Sequence, residues 1–424
     1  MNAVAANEIA VKRSPPGAVQ STAQRTWTSR ALENMRGFTI LFVLAFHSVL
    51  AYLKFLPLSP FAFSHPPYLW RAFAIVDSVR WFGFDLFCAW QDVSLMTLMF
   101  FLSGLFVPTS LARKGSRRFL SDRMLRIGLP YVLAVIFLAP LAYYAAYRTT
   151  AADPDVEAYL QHLLALPFWP CGPQWFLGEL LLFNIVAVAA YRFFPGWDQR
   201  VVRLADFAGG NPVRFFIVLA ASSALAYVPL VLAYSPFAWV NVGPIGFQPS
   251  RPLHYLVYFL AGVTVGTYGL DRGLLDCNGV LARRWRAWLA AAFAGFVLWA
   301  AATSVTMADW SSAPVILKIP TALGFVIASA AACLGSLAIC LRFAHWRRRA
   351  FESLSDNAYR MYLIHYVFAV WLQYALLGVG LFAIVKASVV FGATLISSWT
   401  VAAALGRTLP VLRLNATIGG VPGA

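Results

Sequence analysis

The sequence predicts an all-α, polytopic membrane helical bundle of about ten transmembrane helices, and three observations carry that prediction. Of the 424 residues, 60% are hydrophobic and 12% charged, about half the charge usual in soluble domains. The mean hydropathy is +0.69. Basic residues alternate in blocks with apolar runs, so the net charge of +16 follows the positive-inside rule and not a nucleic-acid surface.

Residues 1–30 carry Lys12, Arg13, Arg25 and Arg30 without an apolar run. They read as a mobile cytoplasmic tail with no cleavable signal peptide. The first span runs from Arg36 to Tyr52 and contains His47. At helical rise the imidazole lies about 16 Å beyond the arginine, roughly halfway through a hydrocarbon core about 30 Å thick. A titratable group at that depth faces protein or a wet cavity, either as a functional residue or as a histidine holding one hydrogen bond to a neighbouring helix.

Residues 54–92 are rich in aromatics and prolines but carry Asp77, Arg80, Asp85 and Asp92. They read as an interfacial segment, or a re-entrant one around 80–92. The second span, about 93–111, contains Phe100-Phe101-Leu102-Ser103-Gly104 and empties into a basic loop ending in Arg123 and Arg126. Three apart on a helix, these two arginines share a face and can hold one anion. The same charges also serve as a topology signal against lipid phosphates.

The third span covers about 127–147, and the acidic loop with Asp153, Asp155 and Glu157 suits the outside. The fourth, about 175–194, holds Glu179 four residues inside its start, either snorkelling or lining an acceptor site. Spans five to eight follow, ending near Tyr234, Leu270, Met307 and Leu341. Span nine covers about 358–377 and span ten about 382–405. Of the 33 Lys and Arg, only Lys54, Arg71, Arg80, Arg148, Arg251, Lys318 and Lys386 fall on the outer side, which puts both termini in the cytoplasm. The chain thus divides into a tail over 1–30, a membrane domain over 31–407 and a short cytoplasmic tail over 408–424. Cys88, Cys171, Cys277, Cys333 and Cys340 form no Cys-x-x-Cys pair, so neither a disulfide framework nor a metal site is implied. The sequon Asn415-Ala416-Thr417 falls in the cytoplasmic tail, where it carries no meaning.

Four strings in order, covering about 31–405, resemble acyltransferase family 3, integral membrane enzymes that O-acylate sugars and other envelope components. They are Arg36 and His47 with ten residues between them in a helix opened by Ala31-Leu32-Glu33-Asn34-Met35; Phe100-Phe101-Leu102-Ser103-Gly104; Arg123 and Arg126 followed by Leu129-Pro130-Tyr131; and Ser355 with Tyr362-Leu363-Ile364-His365. Trp175-Phe176-Leu177 is a softer fifth match. The resemblance implies transfer of an acyl group, acetyl or succinyl, from cytoplasmic acyl-CoA to a hydroxyl of a cell-envelope glycan or lipid-linked sugar. Acyl-CoA, with acetyl-CoA the first choice, is then a co-substrate, with no permanently bound cofactor.

By the family's motif His47 is the catalytic residue, and an imidazole can take and return a proton within one turnover. Arg36, Arg123 and Arg126 suit the phosphates of the donor. Asp85, Glu179, Ser355, Tyr362 and His365 are supporting or acceptor-site candidates, His365 lying shallow on the inner side. An oxyanion stabiliser is required in principle and the sequence names none. The family's Gly-x-Asp, found just before the Phe-Phe string, is matched here only by Gly83-Phe84-Asp85 well upstream. No esterase-like domain follows the last span, so acceptor delivery falls to the membrane domain itself, a homodimer or a separate acceptor-handling protein. These readings place a multi-pass protein in the cytoplasmic membrane, its partners being acyl-CoA, the acceptor and the bilayer, with no nucleic acid. The rival is a secondary transporter of a small anionic or sugar-like solute, although no half-to-half repeat is visible. A catalytically dead membrane scaffold is a third reading.

Overall fold

The structure, a computed structural model, describes residues 16–408 other than 195, 244 and 308. Residues 1–15 of the expected first tail, and 409–424 with the Asn415 sequon, lie outside the described residues. In chain order the helices are α1 Pro16–Val49, α2 Phe82–Leu105, α3 Val107–Arg123, α4 Leu129–Leu133, α5 Ala139–Arg148, α6 Val156–Leu164, α7 Trp175–Phe193, α8 Trp197–Gly209 and α9 Pro212–Tyr234. A small hairpin, β1 Val240–Val242 and β2 Ile245–Phe247, precedes α10 Pro252–Tyr268, α11 Val280–Arg283, α12 Trp285–Thr306, α13 Val315–Phe343, α14 Arg349–Ala375 and α15 Ala383–Thr408.

Among the described residues eight helices are long and apolar enough to cross a membrane, or nine if α10 and the segment bent 89° from it count as one. About ten were expected from the apolar runs. The difference falls on α10, which has 17 residues and counts only with the segment after it, and on α14, where the ninth span is expected: Arg360, His365 and Gln373 lower its hydropathy, and all three are buried in protein. The first helix also starts earlier than expected, since α1 is already helical at Pro16 within the stretch read as tail.

The second span required a larger correction. It begins at Phe82, not near 93, so residues 82–92 are neither interfacial nor re-entrant but the opening turns of α2. Two carboxylates misled the reading, and both are satisfied. Asp85 accepts from the backbone N–H groups of Lys54 (2.8 Å) and Phe55 (3.1 Å), while Asp92 takes both arms of the Arg251 guanidinium (2.5 and 2.7 Å). Lys386, counted as an outer-loop charge, sits in the first turn of α15 and donates to Asp77 at 2.7 Å, with both side chains 1% exposed. Arg251 is likewise buried, at 5% exposure. Charges drawn into protein by a partner do not report topology.

Between α3 and α5 the chain stays helical through two π-turns, Met124–Gly128 and Ala134–Leu138. A π-turn spaces the backbone bonds unevenly, and such turns often mark functional segments. Here Arg126 O accepts from the Tyr359 hydroxyl (2.7 Å) and Val135 O from Trp169 Nε1 (2.9 Å). The bend thereby anchors α14 at one level and the segment before α7 at another.

Helices α2 and α10 are held together by three glycines. A Cβ on Gly104 would lie 2.1 Å from Phe259 O, one on Gly262 2.1 Å from Phe101 O, and one on Gly266 2.0 Å from Leu105 O. Close backbone approach of this kind replaces the hydrophobic drive that is missing between helices in lipid. Gly104 of the Phe-Phe-Leu-Ser-Gly string is therefore a packing residue, flanked by the fully buried Phe100 and Phe101. Gly262→Ala is expected to destabilise the fold by about 1–3 kcal/mol through overpacking, whereas Gly392→Ala in α15, with nothing within 4 Å of its Cβ, should be neutral or slightly stabilising. Thermal unfolding of the two variants in nanodiscs checks this; equal shifts would contradict it.

Candidate active site

The last turns of α1 and the middle of α14 bring two histidines together. His47 Nδ1 lies 2.8 Å from its own helix's Val43 O and 3.2 Å from Nε2 of His365. His365, fully buried, has its Nδ1 2.7 Å from Tyr362 O. Carbonyl oxygens only accept, so Nδ1 carries hydrogen in both rings. His365 Nε2 then faces an N–H and must itself be bare. When His47 is uncharged its single hydrogen is on Nδ1, and its Nε2 presents a lone pair that no hydrogen bond among the described residues occupies. The hydrogen-bond partners of the two rings fix this assignment.

The site is braced from several sides. Gln373, 3% exposed on α14, donates from Nε2 to His47 O (2.8 Å) and Ser48 O (3.2 Å). Those carbonyls need a donor because α1 ends at Val49. Tyr366 packs edge-on against the His47 ring at 5.3 Å and against Tyr143 at 5.8 Å, and Tyr143 donates to Arg71 O at 2.7 Å. On the far side of α14, Tyr362 donates to Pro173 O and Gln174 donates to Leu363 O at 2.9 Å. The segment leading into α7 therefore descends to the level of the two imidazoles.

Three or four turns along the same two helices lies an arginine-rich end. Arg36 is half-buried with Glu33 and Asp356 as the nearest acidic charges, and Arg123 lies over the Phe119 ring at 4.8 Å, close to Arg126. Ser355 donates to Glu33 O (2.7 Å), and Tyr359, one turn further along α14, donates to Arg126 O (2.7 Å). One stretch of α14 thus joins the turn of α1 that holds Arg36 to the segment that holds Arg123 and Arg126. Spaced eleven residues from His47, Arg36 is about 16 Å from it along the helix.

Of the candidates read from the sequence, His47 and His365 meet directly, and Tyr362 supports His365 through its carbonyl. The shallow placement of His365 is corrected: α14 starts at Arg349, so His365 is roughly 24 Å along it and level with His47. Ser355 is a brace between helices. Asp85 caps the backbone after α1 and is not brought to the dyad. Glu179 is buried at 4% exposure, so it does not snorkel. Gln373, Tyr366 and Gln174 escaped the sequence reading because a polar residue in an apolar run declares no partner; only the register of α14 against α1 and α7 reveals them. Gln373→Leu is expected to cost about 1–3 kcal/mol by leaving buried carbonyls without a donor, read as a lowered unfolding midpoint; an unchanged midpoint would contradict the brace.

Residues 29–403 match the family model described as an acyltransferase domain, nearly the whole described chain. No curated protein and no solved structure matches it. With the apolar helices and the histidine pair in place, that match shows that the chain belongs to the acyltransferase 3 family, a multi-pass membrane protein of acyltransferase type.

Proposed function

We propose that the protein moves an acyl group, acetyl or succinyl, from cytoplasmic acyl-CoA to a hydroxyl of a cell-envelope glycan or lipid-linked sugar, with His47 as general base. The observation that carries this reading is the placement of His47 Nδ1 against Val43 O and His365 Nε2, which assigns the ring hydrogen to Nδ1 and leaves Nε2 bare.

In the proposed step the acceptor hydroxyl oxygen attacks the thioester carbonyl carbon while its proton passes to His47 Nε2. The resulting imidazolium has its Nδ1–H directed at Val43 O and at the bare nitrogen of His365, the role a carboxylate fills in serine hydrolases. Collapse of the tetrahedral intermediate breaks the C–S bond, and the departing thiolate takes the proton back from Nε2. The products are an ester and free CoA. An uncharged imidazole serves this purpose at a smaller desolvation cost than a buried carboxylate. Arg36, Arg123 and Arg126 would receive the donor's phosphates, since guanidinium forks match phosphate oxygens.

The test is CoA release and acyl transfer by purified protein in nanodiscs supplied with acetyl-CoA. His47→Ala should reduce turnover by about 10²–10⁴-fold. His365→Ala should lower kcat with little change in the KM for acetyl-CoA, and Arg36→Ala should raise that KM with the fold retained. Turnover indifferent to His47 would remove the reading.

A further inference from the structure

Outside the dyad, buried polar atoms without partners gather where α7 meets α10. Glu179 of α7 is 4% exposed and its Oε2 makes no hydrogen bond. Within electrostatic range stands Arg251, just before α10. Its forked contact with Asp92 and a 3.2 Å bond to the Tyr255 hydroxyl use its terminal nitrogens, leaving Nε without a partner. The hydroxyl of Ser250, fully buried beside it, is also unpartnered. Buried groups of this kind in native proteins are satisfied by a ligand or by ordered water.

The chemistry narrows what fits. Arg251 and Asp92 neutralise each other, the Glu179 carboxyl opposes an anion, and the guanidinium opposes a cation. What remains is an N–H donor, a carboxyl oxygen and a hydroxyl, and a group that both donates and accepts without charge complements all three. The position is near the dyad: Glu179 lies five residues beyond Gln174, about 8 Å along the chain at helical rise, and Gln174 is bonded to α14 two residues before His365. Trp175 stacks on Tyr255 at 6.1 Å, a flat wall on the same side.

We propose that Glu179, Ser250 and Arg251 form a hydrated pocket that binds a neutral, hydroxyl-bearing group. Resting on the acyl-transfer reading, this is where the alcohol end of the acceptor is held beside His47.

Hydroxyl-radical footprinting of the full chain in nanodiscs reads the pocket without relying on activity, because radicals formed from bound water oxidise the side chains next to it. Tyr255 (2% exposed) should be oxidised at least tenfold faster than the equally buried Phe259 (0%) on the same helix, and Glu179→Leu should bring the ratio down at least threefold. Methyl glucoside should lower the Tyr255:Phe259 ratio and glucose 6-phosphate should not. A ratio near one in the unmodified protein overturns the pocket. Equal effects of the two sugars, or none from either, overturn the assignment to neutral hydroxyls. Loss of the acyl-transfer reading would be seen separately, as CoA release insensitive to His47→Ala.

Discussion

The contact between His47 and His365 is the constraint on which the site depends, and it exists because α1 and α14 run parallel in one fixed register. Four points along the pair set that register. Ser355 meets Glu33 O, Phe351 crowds Gly37 so closely that a Cβ there would lie 2.9 Å from its ring, the imidazoles meet, and Gln373 closes the end of α1. A shift of one residue would rotate each histidine by about 100° around its helix and part them. Under the proposed reading the arrangement also meets a difficulty of membrane interiors. A general base needs an orienting acceptor, and a carboxylate would have to be desolvated at depth. His365 supplies a lone pair with no charge.

Around this pair two buried ion pairs hold neighbouring segments in place. Asp77 and Lys386 pin the loop between α1 and α2 to the start of α15, and Arg251 and Asp92 join α10 to α2. The same loop packs Trp70 and Phe63 against Tyr143 and Tyr147, so that flank of the dyad is covered by aromatic rings. Each buried pair costs desolvation that its own geometry must offset. What such pairs contribute here is placement: they fix segments that lack regular structure.

Much of this was legible in the sequence. The alternation of apolar runs and basic blocks located most of the helices, and the Arg36-to-His47 spacing separated the histidine from the arginine-rich end by about three helical turns. The reading failed where a polar residue had a distant partner. Asp85 and Asp92 read in the sequence as breaks in a membrane segment, and Lys386 and Arg251 as outer charges, because hydropathy scores a residue without its counter-ion. The sequence places His365 shallow because the apolar run opens near Ala358, whereas α14 already begins at Arg349. Helix α8 gives no span signal in the sequence: its short run of Arg200, Val202, Arg203 and Phe207 mixes charge and apolar surface, with all four exposed.

The central claim is that His47 holds its hydrogen on Nδ1 and keeps Nε2 bare. Nitrogen-15 NMR of histidine-labelled protein in nanodiscs, with His47 assigned by difference from His47→Gln, reads the tautomer directly. The account predicts a protonated Nδ1 and an unprotonated Nε2 at His47 in the resting protein. A hydrogen on Nε2 with Nδ1 bare would contradict it, because the nitrogen meant to receive the acceptor's proton would already be occupied.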